Sequence, residues 1–267
     1  MSRKSKIIKM KAYTFIISAL LFMADISKVN AKSLESVILM QESAQELYEK
    51  GKTLSKQGNY EESIVWFCKA ADLGHLESQY ILGWFYLQGI GVQANPTEAV
   101  KWLRRAAEQG HPYAQYNLGL CYNLGNGVPQ NYKEALNWLH KAAEQGNAEA
   151  HYSIGLCYVE GQGVPHNESE AFSWFLKSAK MGYADAQYNV GVCYANGIGV
   201  AMNNKEALKW YLKAAEQGIV EAQYNAGVLY YNGDDKQANY YEAKKWLQKA
   251  AEQGHEDAKK LLEKLKR

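Results

Sequence analysis

Apolar residues along the chain recur at helical spacing, and glycines interrupt the pattern at regular places. Ala114, Leu118 and Cys121 are spaced so that they lie on one face of a helix. The glycine-rich segment 125–127 breaks this pattern, and a second apolar run follows and stops at Gly146. This stretch therefore predicts two short helices joined by a loop, which together form a helical hairpin.

The hairpin pattern repeats with a period of 36 residues. One glycine of the first helix and one tryptophan of the second helix mark each copy. The predicted structural core contains Gly83, Trp102, Gly119, Trp138, Gly155, Trp174, Gly191, Trp210, Gly227 and Trp246, and Trp66 extends the tryptophan series. A fixed period of this size is typical of stacked helical units that complete each other's cores. The sequence predicts an all-α solenoid of about six helical hairpins plus a C-terminal capping helix.

Each second helix has a predicted start signal. Asn131 can cap the helix through its side chain, and Glu134 can reach back to the cap as in a capping box. The same pair recurs as Asn59/Glu62, Asn95/Glu98, Asn167/Glu170, Asn203/Glu206 and Asn239/Glu242. Within a hairpin, Gly119 and Ala135 allow close approach of the two helices, while Tyr122 is expected to fill space between hairpins.

Residues 1–31 have the features of a signal peptide. A basic segment is followed by the apolar stretch 12–24, which is shorter than the roughly 20 residues that span a bilayer. Cleavage is expected after Ala31, and an uncleaved anchor is the alternative. The predicted location is secreted or periplasmic, with no integral membrane segment after signal cleavage.

Charge narrows the class of partner. The chain has 30 basic and 28 acidic residues, of which six and one lie in residues 1–31, so 24 and 27 remain. A weakly acidic mature chain argues against nucleic acid or an anionic membrane as the main partner. Another protein or peptide is the expected partner.

These residues resemble the Sel-1-like repeat family, which is related to the tetratricopeptide repeats. The resemblance rests on Ala114 to Gly119, Tyr122, Gly125, Gly127-Val128, Ala135, Trp138 and Ala142-Ala143, and it covers residues 79–258 in five copies. It implies a right-handed α-α superhelix and a role as adaptor or scaffold. Residues 32–78 look like an ordinary tetratricopeptide hairpin, because the distance from Gly51 to Ser63 leaves no room for the longer loop. Residues 259–267 are the end of the capping helix.

The four cysteines are predicted to be free. Cys121, Cys157 and Cys193 occupy the same position in successive hairpins. If equivalent helices are two helices apart, their Cα atoms exceed the roughly 7 Å that a disulfide allows. Exported relatives with paired cysteines suggest an alternative function, a cell-wall or β-lactam binding or hydrolysing protein, but this chain has alanine at the second cysteine position.

Neither a catalytic set nor a metal site is apparent, so the chain is predicted to be no enzyme and to need no cofactor or metal. His75, His111 and His255 share one position after a glycine, which suggests a turn preference. Asn167 lies in an N-glycosylation sequon, although it is also a predicted helix cap.

The predicted binding surface lies on the first helices, which line the concave face in tetratricopeptide arrays. The candidate residues are Trp84, Asn117, Leu120, Asn189, Asn225 and Tyr231. The asparagines could bind the backbone of an extended peptide, or they could satisfy neighbouring helix backbones. The tyrosines at 80, 116, 152, 188 and 224 are expected to pack between repeats. The predicted function is an exported, non-enzymatic protein-interaction scaffold.

Overall fold

The computed structural model describes residues 43–233 and 236–265, without the side chains of 236–238. These ranges form thirteen α-helices and no strand. The helices are α1 Ala44–Lys56, α2 Tyr60–Asp72, α3 Leu76–Gln88, α4 Pro96–Glu108, α5 Pro112–Leu124, α6 Tyr132–Glu144, α7 Ala148–Glu160, α8 Glu168–Lys180, α9 Ala184–Asn196, α10 Asn204–Glu216, α11 Val220–Tyr231, α12 Lys236–Glu252 and α13 Glu256–Leu265. The predicted signal peptide and its cleavage site lie outside the described residues.

Successive helices pair into six hairpins, and α13 packs against α12 at the C-terminal end. We refer to α1, α3, α5, α7, α9 and α11 as the first helices and to their partners as the second helices. The predicted all-α solenoid of six hairpins with a closing helix is therefore confirmed. The loop between α1 and α2 is shorter than those of the next four hairpins, as the spacing from Gly51 to Ser63 predicted.

Each hairpin closes at a helical glycine that faces a large side chain. A methyl group on Gly119 would lie 2.9 Å from a side-chain carbon of Leu139, and on Gly155 it would overlap the ring of Phe175. Gly191 faces the ring of Tyr211 in the same way. The glycine therefore makes the space into which the partner helix inserts its largest core residue.

Tryptophans of the second helices join one hairpin to the preceding one. Trp138 packs in one cluster with Val100 and Leu103 of the preceding hairpin and with Leu118 of its own. Tyr122 borders the same cluster, and its hydroxyl accepts a hydrogen bond from the guanidinium of Arg104 at 2.6 Å. The predicted role of Tyr122 in filling the space between hairpins is confirmed, and Trp138 shares this role.

The asparagine caps form, but the glutamates do not complete the box. Asn131 accepts from the backbone N–H groups of Lys133 and Glu134, both at 3.1 Å. The backbone N–H of Asn131 donates instead to the carbonyl of Tyr122 at 2.9 Å, so Glu134 has no cap donor to reach. Among the described helices, a reciprocal capping box is present at Ser43.

The sixth predicted helix start is wrong. Asn239 lies inside α12, which begins at Lys236, rather than in front of it. In the sequence Asp234-Asp235 stands where the other repeats have Gly-Val, and α12 begins one turn earlier than its equivalents.

The described chain has four free cysteines. Cys121, Cys157 and Cys193 are buried, and burial raises the pKa of each thiol to about 11. Cys68 is half-buried, and burial raises its pKa as well. Cys121, Cys157 and Cys193 pack in three separate core clusters, so each thiol is surrounded by apolar side chains rather than by another thiol.

Candidate interaction surface on the first helices

One stripe of side chains faces outward on each of five first helices. The spacing of four, three and four residues places the members of a stripe on one side of the helix. The stripes are Glu77, Ile81, Trp84 and Gln88; Tyr113, Asn117, Leu120 and Leu124; Glu149, Ser153, Leu156 and Glu160; Asp185, Asn189, Val192 and Asn196; and Glu221, Asn225, Val228 and Asn232. All of these residues except Asn117 are exposed or half-exposed. We call these twenty positions the first-helix surface.

A row of tyrosines beside this surface is bonded to the next hairpin. The amide of Asn189 donates to the hydroxyl of Tyr152, with Nδ2 and Oη 3.0 Å apart. Asn117, Ser153 and Asn225 occupy the equivalent position beside the hydroxyls of Tyr80, Tyr116 and Tyr188. Burial raises the pKa of all four tyrosines, so their hydroxyls stay neutral donors and acceptors at physiological pH. This row links each first helix to the following one.

These bonds change the interpretation of the predicted asparagines. Asn117 is buried, and Asn189 and Asn225 are half-buried rather than open to a ligand. These asparagine side chains face tyrosine hydroxyls, whereas the sequence predicted that they would face the backbone of a peptide or of a neighbouring helix. Binding of a partner by these amides stays a prediction. In the structure, the amide of Asn189 connects two successive first helices.

The apolar members of the predicted site are accessible. Trp84 is 39% exposed and Tyr231 is 47% exposed, while Leu120 is half-buried. Trp84 and Leu120 belong to one row of the first-helix surface, which continues through Leu156, Val192 and Val228. Tyr231 lies at its edge, next to Asn232. The structure thus places five of the six predicted residues on one surface and the sixth at its border.

Three further exposed apolar side chains were missed in the sequence. Tyr113 is 51% exposed, Leu124 is 70% exposed and Val159 is 42% exposed, all on first helices. A comparison of repeat positions could have revealed two of them, because Tyr113 stands where the other four helices carry acids, and Leu124 stands where they carry polar residues.

The Gly-Val loops pack against the preceding hairpin. A methyl group on Gly127 would overlap the carbonyl of Pro96 at the start of α4, and one on Gly199 would overlap the carbonyl of Glu168 at the start of α8. Gly127 and Gly199 also have positive φ values of 78° and 65°. These second loop glycines therefore allow backbone contact between hairpins.

The histidines at the shared turn position are helix caps. His75 and His111 each accept a backbone N–H through Nδ1 at 3.1 Å, and His255 does so at 3.3 Å. His111 also stacks on Tyr80, with ring centroids 4.4 Å apart. Among the described residues, no three His, Cys, Asp or Glu side chains are grouped to hold a metal ion.

Repeat symmetry is broken between α6 and α8. At four other junctions, glutamine pairs connect a first helix to the end of its second helix, at Gln79–Gln109, Gln115–Gln145, Gln187–Gln217 and Gln223–Gln253. His151 and Met181 replace such a pair here. His140 and His151 instead flank the ring of Trp174, at centroid distances of 5.2 and 5.5 Å.

Burial lowers the pKa of His140, and the nearby His151 and Lys177 lower it further, while Glu144 opposes them. This junction therefore favours a neutral imidazole at His140.

The described part of the chain contains no helix of the length and hydrophobicity needed to cross a membrane.

Comparison with known proteins places the chain among repeat proteins of this type. The Sel1 repeat matches six times, at residues 42–75, 76–111, 112–147, 148–183, 184–219 and 220–255. The first match covers the hairpin that was predicted to be an ordinary tetratricopeptide hairpin. No curated protein sequence matches the chain significantly.

Two solved structures are similar over most of the chain. The protective antigen c5321 of uropathogenic Escherichia coli, which has an SLR fold, is 34% identical with a TM-score of 0.77. That match covers 82% of this chain and 48% of the antigen, so the chain spans about half of the length of this relative. A Sel1 repeat protein from Oxalobacter formigenes is 33% identical with a TM-score of 0.72, over 79% of this chain and 86% of that protein.

Proposed function

The chain belongs to the Sel1 repeat family, and from this premise we propose that it is an exported, non-catalytic scaffold that binds a protein or peptide along the first-helix surface. Sel1 and tetratricopeptide-like repeats generally mediate protein–protein interaction, and the family is typically non-catalytic. The proposal adds the surface that makes the contact and the location of the protein.

The observation that supports this surface is the exposure of large apolar side chains on helices whose opposite faces are fully packed. Trp84, Tyr113 and Leu124 of this surface are at least 39% exposed, although Leu82 and Leu118 on the same helices are completely buried. Large apolar side chains that are exposed together on one face commonly mark an interaction site. Aromatic residues in particular are enriched at the contacts that dominate binding energy.

Export is supported by residues 1–31, whose basic and short apolar segments have the form of a cleavable signal. N-terminal sequencing of the protein isolated from its native host tests this part. A mature chain that begins at Lys32 is the expected result, and intact Met1 on cytoplasmic protein would contradict it.

The binding surface can be mapped by photo-crosslinking in the native host. A photoreactive phenylalanine analogue at Leu120 lies on the first-helix surface, and the same analogue at Lys209 lies on an exposed part of a second helix. We expect a cross-linked partner from position 120 and none from position 209. Equal cross-linking at both positions, or cross-linking from position 209 alone, would contradict the proposed surface.

A non-catalytic role predicts that binding does not depend on any reaction of the partner, and this can be tested. The alternative as a cell-wall or β-lactam protein came from relatives with paired cysteines, and all four cysteines here are free. If the chain is a scaffold, an inactive or truncated partner should still cross-link at position 120 with unchanged efficiency. Covalent modification of the partner by the purified chain would overturn the non-catalytic assignment.

A further inference from the structure

From α3 to α11, lysine and arginine are confined to one layer of helices, whereas acidic side chains occur in both layers. Between residues 76 and 231, every Lys and Arg lies in a second helix, at positions 101, 104, 105, 133, 141, 177, 180, 205, 209 and 213. The five first helices in the same range contain Glu77, Glu149, Glu160, Asp185 and Glu221 and no Lys or Arg. All five acids belong to the first-helix surface.

Four of these acids form a row in the first turns of their helices, and three of the four have no ion pair within the described residues. Glu77 accepts from the imidazole Nε2 of His111 at 3.2 Å. Glu149, Asp185 and Glu221 form no ion pair with a Lys, Arg or His side chain in the described ranges. By contrast, Glu98, Glu206 and Glu242 of the second helices each pair with a lysine of their own helix.

An apolar row runs parallel to this acidic row. Trp84, Leu120, Leu156, Val192 and Val228 lie seven residues after the first position of each stripe. Seven residues of an α-helix rise about 10 Å, so the two rows are separated by about the width of an extended peptide with its side chains. The amide and hydroxyl side chains that bond the tyrosines lie between the two rows.

The spacing along each row fits a polyproline II chain. The bond from Asn189 to Tyr152 shows that one tyrosine and one asparagine side chain together span the gap between successive first helices. Three residues of a polyproline II chain rise about 9 Å and return to the same edge of the chain. A residue on one edge can therefore meet one first helix, and the residue three positions later can meet the next.

We propose that the first-helix surface binds an extended peptide segment whose one edge carries Lys or Arg at every third position and whose other edge is apolar. The basic edge contacts Glu149, Asp185 and Glu221, and the apolar edge contacts the row that includes Leu156 and Val192. This inference rests on the proposed function and specifies the chemistry of its partner.

The test uses the purified chain and a fluorescent peptide in which Lys, Leu and Pro alternate in that order. Fluorescence anisotropy measures its dissociation constant, and a peptide with Glu in place of every Lys is the charge control. We expect saturable binding of the lysine peptide, weaker binding at higher salt because the contacts are exposed ion pairs, and no binding of the glutamate peptide.

A matched pair of variants separates the site from general attraction. The surface variant carries Glu149→Gln, Asp185→Asn and Glu221→Gln, and the control carries Glu108→Gln, Glu144→Gln and Glu216→Gln at exposed positions of second helices. Both lose three negative charges. The surface variant should raise the dissociation constant about tenfold, since three exposed ion pairs of modest strength are removed, and the control should change it less than about twofold.

Three outcomes overturn the inference. They are no binding of the lysine peptide, equal binding of the glutamate peptide, and equal weakening by both variants, and melting curves of both variants exclude unfolding as the cause. Cross-linking of a partner at position 120 that is unaffected by the surface variant would overturn this chemistry alone. If no partner cross-links at position 120 in the protein with all three acids intact, the proposed function itself is overturned.

Discussion

The side-chain amide of Asn189 donates a hydrogen bond to the hydroxyl of Tyr152 in the preceding hairpin, with the two atoms 3.0 Å apart. The bond joins α9 to α7 directly, and polar side chains at the equivalent position lie beside the tyrosines of the preceding first helix from α3 to α11. A polar row that could have been a peptide-binding site is thus part of the connection between hairpins. The side chains left for binding a partner are therefore those of the acidic and apolar rows on either side of this polar row.

Substitution of this asparagine should destabilise the protein. Asn189→Ala leaves a half-buried tyrosine hydroxyl without its partner, which should cost about 1–2 kcal/mol in the free energy of unfolding. Urea denaturation of Asn189→Ala, Tyr152→Phe and the double variant measures the coupling. Asn196→Ala, an exposed position of the same helix, is the control, and equal losses for Asn189 and Asn196 would show that the bond contributes nothing specific.

Tryptophans at equivalent repeat positions should differ in their contribution to stability. Trp138 is 7% exposed, whereas Trp174 is half-buried and flanked by histidines. Trp138→Ala should cost about 3–5 kcal/mol because it opens a cavity between hairpins, and Trp174→Ala should cost less. Chemical denaturation compares them directly. A larger loss of stability for Trp174→Ala would mean that burial of the tryptophan does not determine its contribution.

The contact between loops and hairpins can be isolated with two glycines of similar backbone geometry. Gly127→Ala adds a methyl group against the carbonyl of Pro96, while Gly110→Ala meets no atom within 4 Å. Their φ values are 78° and 91°, so both alanines carry left-handed strain of about 1–2 kcal/mol. Gly127→Ala should lose about a further 1–3 kcal/mol from overpacking. Equal melting temperatures for the two variants would show that the loop moves away freely.

The thiols should react slowly in the folded protein. The pKa of Cys121, Cys157 and Cys193 is raised to about 11, and only the thiolate is nucleophilic. Thiol titration at pH 8 without reductant should therefore give slow reaction of the native chain and four thiols after denaturation. Two or fewer thiols in the denatured chain would reveal disulfides and contradict the observed packing.

Stability should fall as the pH falls below about 6.5, the ordinary pKa of histidine. The pKa of His140 is lowered in the folded state, so the unfolded chain binds a proton more readily over this range. The stabilisation is complete above the unfolded pKa and is lost as the pH falls toward the folded one. His140→Leu, which introduces the residue found at positions 176 and 212, should flatten the dependence of melting temperature on pH.

His75 serves as the reference in that experiment. Burial lowers its pKa too, but it lies at the first junction rather than beside Trp174. His75→Asn keeps a capping side chain and should retain the part of the pH dependence that arises at His140. An unchanged pH profile in His140→Leu would exclude this imidazole as the source.

The sequence alone determined the repeating unit, because the signals involved are local. Gly119 and Trp138 recur at a fixed period, Asn131 lies directly before its helix, and Gly146 follows the next helix end. Each of these signals depends on residues within one hairpin, so a single period of the chain contains the information. For the same reason, the hairpins and their core positions could be predicted.

The tertiary structure decided the relations between hairpins, because the partners there come from different copies of the repeat. The hydroxyl of Tyr152 accepts from the amide of Asn189 in the next hairpin, and the hydroxyl of Tyr122 accepts from Arg104 in the preceding hairpin. Asn239 repeats the start signal, yet the changed loop before it lets α12 begin earlier. Identical residues thus acquire different functions according to what the neighbouring hairpin brings within hydrogen-bonding distance, and that distance is set by packing of the two helix layers.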